Sequence, residues 1–325
     1  MQGSVWERLL FIRPGALGDT LLLLPALAMA RREWPDAAIT LVAREDVANL
    51  ARSSGLVDEI SPYGSACWSA LFADEPAGLE PGHTLNTLVK GSAAIAWVPD
   101  PDGSVSRNLR RLGAEVVILA SGRPDPAIAV HMATTLWQGL EPLGITLSLP
   151  TYGDLCECMP PLEAAPEASR MDDLWNVLAE RRVVALHPGS GAAAKRWPPH
   201  LFARLAEECE VRGLAPILIC GPQDSDSIRE VAAACPAGFR LPVVTDLSLG
   251  QLSALLQRVV AYVGNDSGVT HLAALAGAPT LALFGPTNPA YWAPVGRRVH
   301  ILRALSGRME DISTDEAWSA LHALL

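Results

Sequence analysis

Positive charge is scarce in this chain, and lysine is almost missing. The 325 residues hold 25 Lys+Arg against 35 Asp+Glu, a formal net charge of −10. Lys90 and Lys195 are the two lysines, so arginine supplies nearly all the cations. That balance excludes a general nucleic-acid binder, because affinity for phosphate backbones comes mainly from clustered Lys and Arg. Any nucleotide held here is expected to be a small one. Long apolar runs are lacking as well. The run Leu21–Ala30 could be misread as a signal segment, but it follows Arg13, Gly15, Gly18 and Asp19, contains Pro25, and is too short to span a bilayer. The chain is therefore expected to stay in the cytosol. The six cysteines make no paired metal-ligand motif: Cys156 and Cys158 form a lone C-x-C, where a zinc site usually needs two such pairs. Cys209, Cys220 and Cys235 sit in apolar contexts that suit reduced core residues. Two nucleotide signatures are missing too, the G-x-G-x-x-G of dinucleotide binding and the G-K-[ST] ending of a P-loop.

What is present is a globular composition, half hydrophobic and 18 % charged, long enough for two domains. Leu9–Ile12 reads as a buried strand, Pro14–Gly18 as a turn, Asp19 to about Trp34 as a helix with Asp19 at its cap, and Ile39–Val42 as a second strand. Ala93–Val98 and Val116–Ala120 continue the strands, separated by a helix at Ser106–Leu112, and a helical stretch covers Ala127–Leu143. From Leu147 to Ala168 periodicity breaks down, as expected of a connector. The alternation then restarts: strands at Val183–His187, Pro216–Cys220, Val259–Val263 and Thr280–Phe284, helices at Pro199–Arg212, Ser225–Ala234, Gly250–Gln257 and Ser267–Ala276, and a terminal helix at Thr314–Leu324. Strands alternating with helices predict parallel sheets covered on both faces. The expected domains are 1–155 and 170–325, with the terminal helix packing back on the protein, the N-terminal domain being one candidate surface for it.

In open α/β sheets ligands bind beyond the carboxyl ends of the strands, and four strand-to-helix junctions carry unusual chemistry. Arg13–Thr20 places Gly15 and Gly18, which allow close backbone approach, beside Asp19, which is either a helix cap or a carboxylate facing a ligand. His187–Pro198 combines a Gly-Ser turn at Ser190 and Gly191 with the adjacent cations Lys195 and Arg196, suited to a diphosphate or to a solvated loop tip. Gly221–Asp224 offers acceptors for ribose hydroxyls, or a turn with a helix cap. Gly264–His271 starts a helix with Asp266, Ser267 and Gly268, an anion-binding arrangement of N–H groups and hydroxyls, and Phe284–Pro289 is expected to border it. Asp100-Pro101-Asp102-Gly103 mimics the D-x-D of metal-dependent glycosyltransferases but reads as a turn.

The segments Gly15–Asp19 with L-P-A-L, His187–Pro198 with K-R-W-P, Gly264–His271 with N-D-S-G-x-x-H and Leu283–Pro289 with L-F-G-P-T resemble, in order and over almost the whole chain, glycosyltransferase family nine, the ADP-heptose:lipopolysaccharide heptosyltransferase family. The resemblance implies an α/β fold of GT-B type, two Rossmann-like α/β/α domains facing across a cleft, with the nucleotide sugar held by the C-terminal one and the acceptor by the N-terminal one. It implies Asp19 as general base, and Lys195, Asp266, Ser267, Gly268 and His271, with the Ser190/Gly191 turn, in the donor site. The ribose carboxylate then falls at Gln223 or Asp224, of which Asp224 keeps the acidic character. The expected reaction is an inverting transfer of a sugar from a nucleotide-diphosphate donor, with no metal or other cofactor.

The acceptor side follows less directly. Residues 1–160 hold 11 basic and 18 acidic side chains, a balance of −7, against 14 and 17, or −3, in 161–325. The half expected to receive a phosphorylated core sugar is the more acidic. Gly15 and Gly18, Arg107 and Arg110 (with Arg111) on one helix face, and His131 are the candidate acceptor residues; an ordinary solvated cationic face is the alternative for the arginines. A glycan or glycolipid acceptor is expected, with transient contact at the inner membrane surface. A nucleotide-sugar epimerase of GT-B architecture and a non-catalytic nucleotide-sugar-binding protein are the competing readings.

Overall fold

The computed structural model describes residues 6–74, 84–125, 127–145, 152–160, 162 and 181–325. The chain divides into two compact units, Met1–Pro160 and Pro161–Leu325, each built on its own parallel sheet.

In the first unit the strands are β1 (Arg8–Ile12), β2 (Ala38–Ala43), β3 (Glu59–Pro62), β4 (Ala93–Ala96) and β5 (Val116–Leu119), in the order β3-β2-β1-β4-β5. Helices α1 (Leu17–Leu21), α2 (Leu24–Glu33), α3 (Glu45–Ser53), α4 (Thr84–Val89), α5 (Ser104–Arg111), α6 (Met132–Gln138) and α7 (Tyr152–Cys158) connect or follow them. The central strands are continuous apolar runs because both of their faces are covered: Leu9 to Ile12 and Ala93 to Ala96 are all buried. The strand order reverses between β1 and β4, so their carboxyl ends form the switch point of this sheet.

The second unit contains β6 (Arg182–His187), β7 (Leu214–Ile219), β8 (Val243–Val244), β9 (Ala261–Asn265), β10 (Thr280–Phe284) and β11 (Val299–Arg303), with α8 (Pro199–Val211), α9 (Ser225–Ala234), α10 (Leu249–Leu256), α11 (Gly268–Leu275), α12 (Pro289–Trp292) and α13 (Thr314–His322). Its order, β11-β10-β9-β6-β7-β8, is the doubly wound order of a dinucleotide-binding sheet. The reversal lies between β6 and β9, where His187 pairs in register with Gly264.

Several sequence expectations are corrected. The helix expected from Asp19 to Trp34 is two helices, because Pro25 occupies the first turn of α2 and has no N–H to continue a ladder. Asp19 is consequently inside α1, at its third position, instead of before it. The stretch from Ala127 to Leu143 is helical only from Met132, since His131 caps α6 and Gly139 ends it. The connector between Leu147 and Ala168 contains α7, which lies against α2 and α6; the rest of that stretch, apart from 159–160 and 162, is outside the described residues, as is the Cys158 side chain. The terminal helix α13 puts Ala317, Ala320 and Leu321 into the core of its own unit, beside Phe202 and Leu205 of α8. Among the described residues no helix is long and apolar enough to cross a membrane.

Candidate functional site

The switch point of the second unit gathers three of the predicted junctions. Asn265, the last residue of β9 and fully buried, ties the loop after β6 at both ends: its Oδ1 accepts from Trp197 N–H at 3.0 Å, and its Nδ2 donates to the Pro188 carbonyl at 2.8 Å. The Ser190 hydroxyl donates to the Asp266 carbonyl at 2.9 Å, and Arg196 donates to the Ser190 carbonyl at 3.0 and 3.1 Å. So fixed, the loop carries Lys195 over the end of β9, with Nζ 2.7 Å from Asp266 Oδ2. The ammonium is one-third exposed and the carboxylate 8 % exposed. Replacing Asn265 by Ala leaves the Trp197 amide and the Pro188 carbonyl buried without that partner; we expect a loss of about 2–4 kcal/mol, readable by urea unfolding, and an unchanged midpoint would show that the asparagine does not hold the loop.

Ser267 caps α11, accepting from Thr270 N–H. Gly268 begins the helix, and His271 is buried within it. The amide end of α11 thus faces the same strand ends as Ser190 and Lys195, giving N–H groups, hydroxyls and an ammonium together. The Asp266 amide donates to the Leu283 carbonyl of β10 at 3.0 Å, and in the glycine-rich segment after β10 a Cβ at Gly285 would stand 2.6 Å from Met309 Sδ.

Asp224, at the turn after β7, has one carboxylate oxygen tied into its own unit. Its Oδ2 accepts from the Gly221 amide at 2.9 Å and lies 2.9 Å from His187 Nε2. A Cβ at Gly189 would stand 2.0 Å from Asp224 Oδ1, so glycine there is what gives the carboxylate its room. Burial pushes the Asp224 carboxyl up, but the His187 hydrogen bond and charge, the Gly221 amide and the Arg196 charge together hold it below the ordinary range. Gln223 beside it is exposed.

At the switch point of the first unit, Gly15 has φ +145°, and a Cβ on it would stand 2.9 Å from Asp19 Cβ. Asp19 Oδ2 accepts from the Ala16 amide at 3.2 Å, so the cap role is real, and the half-buried carboxylate keeps further acceptor capacity. Gly18 is in the same turn. Arg13, just after β1 and 4 % exposed, donates through Nε to the Asp19 carbonyl at 3.4 Å; burial lowers its pKa and the Asp19 charge raises it, burial prevailing. Its Nη1 occupies the space a Cβ at Gly122 would need, 2.5 Å away.

The other acceptor candidates also follow strand ends. Arg107, Arg110 and Arg111 lie off the buried face of α5, which is formed by Val105, Asn108 and Leu109. His131 caps α6, its Nδ1 accepting from the Ala133 amide at 3.3 Å. The D-P-D-G segment is a turn whose carboxylates serve α5: Asp100 accepts from the Val105 and Ser106 amides at 2.9 and 3.1 Å, and Asp102 from the Ser104 amide and hydroxyl at 3.2 and 2.9 Å. Three residues that matter to these geometries had no assigned role from sequence: Arg13, His187 and Asn265. Their signal was position alone, since each sits at the carboxyl end of a strand beside the reversal of strand order.

The model of the family described as glycosyltransferase family 9 (heptosyltransferase) matches residues 154–320. Among curated proteins, lipooligosaccharide heptosyltransferase 2 of Haemophilus influenzae is 29 % identical over 169 residues, 51 % of this chain and 49 % of the relative. The chain thus spans about half the length of the first curated relatives it matches. A longer match, 23 % identical over 294 residues and covering 85 % of this chain and 82 % of the relative, is to lipopolysaccharide heptosyltransferase 3 of Escherichia coli K12. Among solved structures, a family 9 glycosyl transferase from Veillonella parvula superposes with a TM-score of 0.81 at 21 % identity, covering 99 % and 98 % of the two chains. Escherichia coli ADP-heptose lps heptosyltransferase II superposes with 0.72 at 20 % identity and 98 % coverage of each. These structures share the GT-B type fold of two α/β units. With a family model matching more than half its length, this chain belongs to glycosyltransferase family 9.

Proposed function

We propose that this chain is an inverting, metal-independent glycosyltransferase that moves heptose from ADP-heptose to a glycan or lipopolysaccharide-core acceptor. One observation carries the reading: at the switch point of the family-matched unit, Lys195, the Ser190/Gly191 turn and the capped end of α11 converge on one place where a diphosphate would find an ammonium, hydroxyls and helix amides. In a transfer, the bond from the anomeric carbon to the diphosphate oxygen breaks and negative charge collects on the leaving group. Fixed donors aimed at that charge lower the barrier, one such donor contributing roughly 3–4 kcal/mol. Asp19 takes the acceptor hydroxyl proton as that oxygen attacks the anomeric carbon from the opposite side, which inverts it.

The chemistry of the donor set supports a metal-free leaving group. An ammonium and helix amides can supply the charge compensation that a divalent ion would otherwise give a leaving diphosphate, and both side chains of the D-P-D segment accept from α5 amides. Heptose and adenine are supported by the relatives' names, which include ADP-heptose lps heptosyltransferase II. The cytosolic placement with transient contact at the inner membrane surface is part of the same proposal.

Calorimetry with ADP, UDP and GDP tests the donor. We expect ADP to bind tightest; equal or tighter UDP binding would remove the adenine assignment, and no nucleotide binding would remove the donor site itself. The anomeric configuration of the product, read by NMR, tests inversion.

A further inference from the structure

His187 has no task in the transfer as described, yet its ring is among the most closely held polar groups of its unit. The side chain is 3 % exposed. On one side Nε2 meets Asp224 Oδ2 at 2.9 Å, and Gly189 and Gly221 wall that carboxylate in, since a Cβ on either would stand 2.0 Å or 2.7 Å from its oxygens. On the other side Nδ1 faces Ser267 Oγ at 3.3 Å. Ser267 is the cap of α11, next to Thr270 Oγ1 at 3.2 Å. The Thr270 hydroxyl donates to the Asn265 carbonyl and lies 3.0 Å from Tyr262 OH. The ring therefore joins a fixed carboxylate to the hydroxyl at the amide end of α11.

We propose that His187 is a positioning residue for the donor diphosphate, taking up a proton when the nucleotide binds and so turning the Ser267 hydroxyl toward the phosphoryl oxygens. The inference rests on the reading of this switch point as the donor site. Asp224 is an acceptor and keeps the Nε2 proton in place. A neutral ring then presents a bare Nδ1, to which the Ser267 O–H can donate, leaving the cap hydroxyl turned inward. A protonated ring presents Nδ1–H, which Ser267 Oγ accepts, and the hydroxyl proton is released to donate to the ligand. One solvent proton forms the Nδ1–H bond, and no bond between heavy atoms changes. The ligand's negative charge stabilises the imidazolium, whose ring is 3 % exposed and so little screened by solvent.

The charged and titratable groups around the ring are consistent with this. Asp224 lies on its Nε2 side, with Arg196 acting on Asp224 and the Cys220 thiol near the same carboxylate. Tyr262 stands behind Thr270, its hydroxyl kept protonated by burial. The Lys195–Asp266 pair lies on the adjoining strand ends and is internally balanced.

Calorimetric titration with ADP at neutral pH, repeated in buffers of low and high ionisation enthalpy, counts protons taken up on binding. We expect uptake of a sizeable fraction of one proton per ADP, and an affinity that falls as pH rises, by at most about tenfold per pH unit for a single linked proton. In His187→Asn, and independently in Ser267→Ala, which leaves the His187–Asp224 pair intact, ADP should still bind, more weakly and with the uptake reduced. A merely structural histidine would weaken binding without changing proton uptake. ADP binding with no buffer dependence in the unmodified protein overturns the inference alone, as does uptake that persists in His187→Asn, which would place the proton on the ligand or another group, or uptake unchanged in Ser267→Ala, which would show that the proton on the ring is not tied to the cap hydroxyl. Failure of ADP to bind at all overturns the donor-site reading and this inference with it.

Discussion

Asp19→Asn is expected to bind ADP as the unmodified protein does and to lose transfer by ~10²–10⁴-fold, the range supplied by a positioned general base. The substitution isolates charge from architecture. Asparagine keeps a side-chain oxygen able to accept from the Ala16 amide, the bond now made by Asp19 Oδ2 at 3.2 Å, so α1 keeps its first turn. The Arg13 bond goes to the Asp19 main-chain carbonyl and is likewise retained. What disappears is the basic oxygen. Asp19 belongs to the unit 1–160, whereas Lys195, Ser190 and Ser267 belong to 161–325, so donor affinity should not follow the loss of turnover. Steady-state transfer measured beside ADP calorimetry separates the two, and near-normal transfer by this variant would return Asp19 to the role of a helix cap. Gly15→Ala is a poorer probe of the same site: φ +145° and a Cβ at 2.9 Å from Asp19 Cβ would disturb the backbone and the Asp19 carboxylate at once.

The parts of the fold that were legible in sequence are those whose cause is local. A strand buried on both faces must be apolar throughout, so Leu9–Ile12 and Thr280–Phe284 announce themselves. Glycine and polar residues directly after such runs mark the ligand end of the sheet, which is how the junctions at Asp19, Lys195 and Ser267 could be picked out before any pairing was known. Of the edge strands, β5 was legible, whereas β3 and β11 were missed because their sequences, Glu-Ile-Ser-Pro and Val-His-Ile-Leu-Arg, are only partly buried and carry polar residues, and β8 because it is two residues long. The roles of Asn265 and His187 depend on partners far away in the chain: Trp197 and Pro188 lie 68 and 77 residues from Asn265, and Asp224 and Ser267 lie 37 and 80 residues from His187. No local spacing encodes those meetings. Asp224 shows the same limit from the other direction. Its acidity suggested a ribose ligand; one of its oxygens, Oδ2, is engaged with both His187 and Gly221, and Gln223 beside it is exposed, so both positions stay candidates at that turn.

Charge distribution bears on the acceptor in a related way. The first unit is the more acidic half, yet three of its arginines are gathered: Arg107, Arg110 and Arg111 share the uncovered side of α5, and Asp100 and Asp102 face the amides at that helix's amino end. The helix therefore presents cations toward its carboxyl end, where they also complement its dipole. An anionic acceptor would need such a local patch to overcome the net balance of that half. A neutral glycan would not, and net charge alone does not choose between them.

Lys195→Ala is expected to weaken ADP binding by about 10–100-fold, the equivalent of one charge-assisted contact of roughly 1.5–3 kcal/mol. Two effects combine in this variant. The ammonium is lost, and Asp266, 8 % exposed and 2.7 Å from Nζ, is left as an uncompensated carboxylate beside the place where the diphosphate would sit. The ammonium is one-third exposed, so solvent screens part of the pair, but the carboxylate left without it is buried and some folding stability is lost as well. A double variant separates the two effects. If Asp266 serves mainly to hold Lys195 over the strand end, adding Asp266→Asn to Lys195→Ala removes the repulsion and recovers part of the affinity. If Asp266 itself contacts the donor, the double variant binds more weakly than Lys195→Ala alone. Unchanged ADP affinity in Lys195→Ala would remove the lysine from the donor site, and with it the reason for reading that strand end as the seat of a diphosphate.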